Sequence, residues 1–391
     1  MRRRVVLSLS ILLVLVPACG GKGAPGPKGD PGPQGEGTVG PRGEPGQKGD
    51  PGPMGPPGNF ARIRVVPPGD NPLIGGENLR NAVQSITKVS ADEPWLVFIE
   101  PGVFDLGTEG LQLRPYIHLQ GSGQTLTTVR SRAEGATLVG VDHTELRSLT
   151  VEHVGGPGEA VALSTASSLF RARDVVAFAH DGQQRTVSIQ SSAGPGPGGF
   201  ERVQALASSH QGDTVGFSCE ACTVKLSGST LLGQGGNRAL GVSVRQGTLE
   251  LWDSSATGLD GASESTGVDA AGSKVLLVRT ELSGGNGADS TGLRLSSSSA
   301  FVRDSSLSGS GSAGQQARAL AVSRTDAGSY SVDVQRSTLS GTTQTVRSAE
   351  GYVIHIGGSQ LRGGKVDGNG IVSCNGSYDE NFNSPTAPAC P

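Results

Sequence analysis

From residue 136 onward, apolar residues fall two apart in short runs, the spacing that puts them all on one side of a β-strand. The runs recur with a step of about 25 residues, in segments that begin at Ala136, Ala160, Arg185, Thr214, Ala239, Ser265, Ser290, Ala317 and Thr345. Each segment reads as an alternating strand, a small-residue turn, a second strand and a Ser/Gly loop. Aligned on Gly241, Gly267 and Gly292, the segments place Leu249, Val275, Ala300 and Val332 in one inward column. Leu251, Leu277, Val302 and Val334 form the next, while Glu250, Leu276, Phe301 and Asp333 face out. No segment holds a 3.6-residue period and none carries L-x-x-L-x-L, which excludes helical and leucine-rich solenoids. The pattern predicts an all-β fold, a right-handed parallel β-helix wound as a single-stranded solenoid of about twelve coils over residues 61–373.

One column breaks the parity. The same alignment stacks Asp253, Arg279, Asp304 and Arg336 where the chain, if straight, would point them inward. An ionised row cannot sit unpaired in an apolar core, so the chain must bend there and turn these side chains out. Both ends of the stack also need covering. A helix near residues 77–86 is expected to cap the first coil. The tail 374–391, closed by a Cys374–Cys390 disulfide, is expected to cap the last.

The stretches Asn78–Ile86, Leu96–Phe104 and Ile117–Gly123 resemble the opening of pectate-lyase-like right-handed β-helix proteins. That resemblance implies the fold and raises the question of a polysaccharide-degrading activity. The residues that carry such activity are missing. There is no N-T-D, adjacent Asp pair and G-H-G of polygalacturonases. Val141-Asp142-His143 matches a pectate lyase fragment, without the arginine element. Gln211-Gly212-Asp213-Thr214 is a pectinesterase Q-D-T split by a glycine.

Residues 20–60 follow a different rule. From Gly23 glycine occupies every third position, slips once at Gly35-Glu36, and resumes to Gly58. Only glycine fits the axis of a collagen triple helix, so the phase predicts a homotrimeric stalk. Lys28/Asp30, Arg42/Glu44 and Lys48/Asp50 each straddle a glycine and suit pairing between staggered chains. Ahead of the stalk, three arginines and the apolar run Val5–Val16 form a secretory signal, residues 1–19, too short to remain as a membrane span. It ends Leu15-Val16-Pro17-Ala18-Cys19, which resembles the lipobox of bacterial lipoproteins, with Val16 and Pro17 where that family usually has leucine and a small residue. The resemblance implies lipid on Cys19 and a membrane partner through it. The five cysteines agree: with Cys19 acylated, four remain for two disulfides in an oxidising compartment. By repeat alignment Cys219-Glu-Ala-Cys222 sits at a turn, where it reads as a local clip. Zinc would need two further ligands at the right spacing, and no metal or cofactor is expected.

The net charge of −3, with scattered arginines, leaves no footprint for nucleic acid. One constellation invites chemistry. His153, His180 and His210 end successive coils, with Glu152, Asp181 and Asp213 beside them, and stacking would set them in a row suited to acid/base work. Polar coil ends give the same pattern without function. Trp95, Trp252, Tyr116, Tyr330 and Tyr352 are the aromatics available for sugar stacking, and Trp252 faces out in this register. Taken together the sequence describes an exported, lipid-anchored, trimeric stalk-and-head protein of a bacterial envelope, fitted for adhesion or matrix contact, with a glycan or cell-surface ligand left open as partner. The competing reading is a polysaccharide-active lyase or hydrolase that uses the histidine edge.

Overall fold

The computed structural model describes residues 62–194, 196, 198–312, 314–386 and 389–391. The expected leader, Cys19 and the Gly-X-Y segment lie outside the described residues. Within them the chain forms 31 strands, and every strand pairing is parallel. Three strands make a turn. Asp213–Glu220, Thr223–Ser227 and Thr230–Gly235 are followed by Arg238–Arg245, Thr248–Trp252 and Ser255–Leu259, each stacked on its counterpart one turn earlier. The result is a parallel β-solenoid with three faces, called first, second and third in that order. Crossovers between parallel strands are right-handed in nearly all proteins, which is the hand expected here.

The solenoid has about ten turns, not the expected twelve or so. Dividing the domain by the 25-residue step charges turns to the cap helix and its flanking loops, which make none. The predicted inward columns are observed: Leu249, Val275, Ala300 and Val332 are register partners, as are Leu251, Leu277, Val302 and Val334, and all are buried. Thr214, Ala239, Ser265, Ser290 and Ala317 likewise share one column. Ala160 and Arg185 do not belong to one column; Thr186 is the residue aligned with both Ala160 and Thr214.

The bend between the second and third faces explains the column of charges. Asp174, Arg202, Gly228, Asp253, Arg279, Asp304, Arg336 and Gly358 all take φ between 46 and 58°. This left-handed conformation turns the chain through one residue and swings its side chain outward. The residue that follows is a hydroxyl on rung after rung. The Ser254 hydroxyl donates to the Trp252 carbonyl (2.7 Å) and accepts from the Ser229 N–H (3.0 Å). Ser305, Ser337 and Ser359 accept from the rung before in the same way, at 3.1 Å each. Backbone N–H groups that the bend would strand inside the solenoid are thereby satisfied.

The cap helix, α1, spans Pro72–Ser85 and so begins five residues before the expected 77. The start signal is Asn71-Pro72: the Asn71 side chain accepts from the Ile74 N–H (3.1 Å), and proline suits the first helical position. α1 follows the first strand, β1 (Arg62–Val66), and precedes β2 (Trp95–Ile99) and β3 (Gly102–Asp105). β3 pairs only with Thr127–Ser131, and α1 covers its other side. The approach is close: a Cβ on Gly76 would lie 2.0 Å from the Asp105 carbonyl oxygen, so only glycine fits. At the far end the Cys374–Cys390 disulfide forms, and Tyr378 bridges to Gln360 on the edge of the last third-face strand.

Candidate functional site

The first face is where buried charge gathers. In its strands Ala239, Val242 and Val244 point to the core, while Leu240 and Ser243 point out. Between them Gly241 brings the strand against the third face: a Cβ there would sit 2.5 Å from the Thr257 nitrogen. The ladder skips this residue, pairing Leu240 with Thr266 and Val242 with Val268. On the outer side one column is buried: Val161, Val187, Val215 and Leu240, an apolar cluster separate from the main core, continued by Thr266, Thr291 and Arg318.

Charged columns flank it. Arg238, Glu264 and Asp289 are register partners on one side; Asp269 and Arg294 are partners on the other. Arg238 reaches Glu264 (3.0 Å), Asp269 (3.0 Å) and Asp213 (3.7 Å). Asp269 also accepts from Arg245 (2.5 Å), Arg294 pairs with Glu264 (2.6 Å) and Asp289 (3.2 Å), and Arg318 pairs with Asp289 (2.9 Å). Asp269 and Arg318 are only 4 % and 3 % exposed, although they lie on the outer side. Burial alone would push the Glu264 carboxyl up; Arg294 and Arg238 outweigh it, and the group titrates below its ordinary value. The same carboxylates outweigh the burial of Arg238 and hold its guanidinium above the usual arginine value.

Such a network favours the ionised form of Glu264. Glycosidic hydrolysis by paired carboxylates needs one of them protonated near neutral pH, which calls for a raised carboxyl. Glu264 is shifted the opposite way. What the arrangement does provide is a fixed, alternating array of charge along the first face.

The histidine constellation divides. His153 faces the core and is fully buried, its Nε2 2.9 Å from the Ala133 carbonyl, and burial lowers its basicity. His180 stands in register with Val154, one residue later, so it falls on the opposite side of the strand. There its ring stacks on Phe178 (5.0 Å), with Nε2 3.4 Å from Glu152 and Nδ1 3.1 Å from Asp181. His210 is almost wholly exposed, 3.7 Å from Asp181. Asp213 belongs to the first-face network through Arg238. The structure thus brings Glu152, His180, Asp181 and His210 together and leaves His153 and Asp213 apart from them. Among the described residues no group of three or more His, Cys, Asp or Glu is placed to hold a metal ion.

The remaining candidates are structural or covered. Cys219 and Cys222 form a disulfide across the first bend, around Ala221 (φ 48°), and both are buried. Trp252 lies on the outer side under the Lys225 ammonium (5.3 Å from the ring centre). Tyr352 is buried, accepting from the Ser298 N–H at 2.9 Å.

No family model and no curated protein sequence matches the chain. Solved structures similar to it include gene product 12 of bacteriophage phi29, at 13% identity and a TM-score of 0.48, covering 80% of this chain and 51% of that one. The catalytic unit of a GH87 α-1,3-glucanase from Streptomyces thermodiastaticus strain HF3-3 is similar at 14% identity and 0.46, covering 84% and 67%. Pectate lyase Pel9A is similar at 11% and 0.44, covering 84% and 82%. The chain spans about half the length of the phage protein. At these identities and scores no activity carries across, and the fold rests on the strand registers themselves.

Proposed function

We propose that the chain is a non-catalytic binding head carried on a stalk: exported, lipid-anchored through Cys19 to a bacterial envelope, and trimerised by its Gly-X-Y segment. The observation that carries the non-catalytic part is the ion-pair network of the first face. Its carboxylates are matched by arginines, and Glu264 is driven toward the ionised form. The stalk and anchor rest on the glycine phase and the lipobox resemblance. Three heads on one stalk convert weak contacts into avidity, which suits adhesion. Tyr352 is buried and Trp252 is roofed by Lys225, so neither offers an open ring to a glycan, which would be read by polar contacts along the first face. The test is a glycan panel probed with the full-length protein, with reducing-end release assayed on every glycan bound. Retention without release supports the reading; release abolished by Glu264→Gln overturns it.

The alternative, a polysaccharide-active enzyme, draws on one observation, the His180 ring held between Glu152 and Asp181. Release of sugar ends that survives Glu264→Gln and disappears in His180→Ala would favour it.

A further inference from the structure

Eight large hydrophobic side chains are exposed among the described residues, and six of them fall at one end: Ile63, Val65, Leu73, Ile74, Val103 and Leu126. The other two, Ile371 and Phe382, lie near the C-terminus. Clustered apolar exposure of this kind marks a contact surface. Ile63 and Val65 are the most telling. They lie on β1, which among the described residues pairs with β2 alone, at the edge of the second face. Ile63 is 58 % and Val65 53 % exposed.

The charges of β1 are kept off that side. Arg62 pairs with Glu93 (2.8 Å) and Arg64 donates to the Ser85 hydroxyl (3.0 Å), and both guanidinium groups lie over the Trp95 ring at 5.7 and 5.9 Å. The alternation that sends Arg62, Arg64 and Val66 one way sends Ile63 and Val65 the other. The exposed side is apolar and free of like-charge repulsion between copies.

The chain itself says what meets this surface. The Gly-X-Y phase ends at Gly58, four residues before Arg62. Four Cα steps reach at most about 14 Å. Three chains joined through one triple helix up to Gly58 would hold three copies of β1 at high effective concentration. We infer that Ile63 and Val65 of three copies pack against one another, so that the heads themselves trimerise through β1. This rests on the trimeric-stalk reading above. It adds the contact that a short collagen-like segment needs from its flanks.

The experiment uses full-length protein in detergent, with mass from light scattering and cross-linking of Val65→Cys under mild oxidation. Ser310→Cys, exposed far along the solenoid, is the control. A threefold axis lets two of three cysteines pair. The expected result is a trimer in which about two-thirds of Val65→Cys chains run as disulfide-linked dimers without reductant, with little cross-linking at position 310. Ile63→Asp/Val65→Asp should lower the melting of the polyproline-type circular dichroism band and leave the β-solenoid transition in place. A Val65→Cys protein that is trimeric by light scattering yet fails to cross-link overturns the contact while the stalk reading stands. A wild-type monomer overturns the stalk reading, and the contact with it.

Discussion

The molecule carries two ladders of alternating charge, built on the same stacked rungs and held in opposite surroundings. At the second bend Arg202 forks onto Asp174 (2.7 and 2.9 Å), Arg279 onto Asp253 (2.5 and 2.7 Å) and Arg336 onto Asp304 (2.7 and 2.8 Å). Each arginine reaches back one rung, and the pairs stand in solvent. On the first face Asp269, Glu264 and Arg318 are sunk into the sheet, and each shares its partners with others. Forked geometry is as good at the bend as on the face. What differs is water, and water decides what a pair is worth: little when exposed, and much when removing one partner strands a buried charge.

The sharpest break of this comparison is Asp269→Ala. It removes the carboxylate that Arg238 and Arg245 share, leaves Arg238 to Glu264 and Asp213, and should cost about 2 kcal/mol in chemical denaturation. Asp253→Ala, the matching deletion at the bend, should cost a small fraction of that. Equal losses would mean that the first-face network is as wet as the bend.

Acid should separate the two regions in a second way. Glu264 is depressed in the folded chain from its ordinary 4.5. Its contribution is therefore complete above pH 4.5 and is lost as the pH falls below that toward the folded value. Glu264→Gln should flatten the acid limb of stability below pH 4.5 while lowering stability at pH 7. His153 acts at a higher window. Burial holds its folded value below 6.5, so the unfolded chain takes up the proton first and stability falls as the pH drops below 6.5. His153→Leu should shrink the loss between pH 7 and pH 5.5. Denaturation curves at these pH values check both, and an unchanged slope in either variant would remove that residue from the account.

These regions also show what sequence can and cannot reveal. The bend column was legible because Asp and Arg at an inward parity contradict the core around them, and the contradiction itself demands a bend. Its extension to Asp174 and Arg202 was missed, since Gly228 interrupts the alternation. The first-face network was also missed, though a signal existed. Arg238, Glu264 and Asp289 each stand immediately before a segment start, at Ala239, Ser265 and Ser290, so the alignment already stacked them. The burial of Glu264 among them was not legible, because its arginine partners reach it from neighbouring rungs, a contact between strands that no single-strand pattern carries. His153 shows the reverse hazard. One residue of register separates it from His180, and with a side-chain period of two that is the difference between core and surface. The helix start was written in Asn71-Pro72, ahead of the amphipathic stretch that drew attention.

The smallest expected effect is at Arg279, and it tests the bend from both sides. Arg279 combines an exposed fork onto Asp253 with a left-handed backbone (φ 51°) that disfavours any residue with a Cβ. Gly228 and Gly358 fill equivalent places in the same column. Three substitutions divide the two contributions. Arg279→Ala loses the pair and keeps the backbone cost. Arg279→Gly loses the pair and relieves that cost, so it should melt above Arg279→Ala. Arg279→Asp sets three carboxylates, at positions 253, 279 and 304, on successive rungs about 4.8 Å apart and should melt lowest of the three. Added salt should raise Arg279→Asp toward Arg279→Ala, since the repulsion is exposed and screened, and leave the Gly–Ala gap unchanged, since that gap is conformational. Thermal melts at low and high ionic strength read all of this. If Arg279→Gly and Arg279→Ala melt together, the left-handed bend imposes no cost at this rung, and the fork alone accounts for the residue.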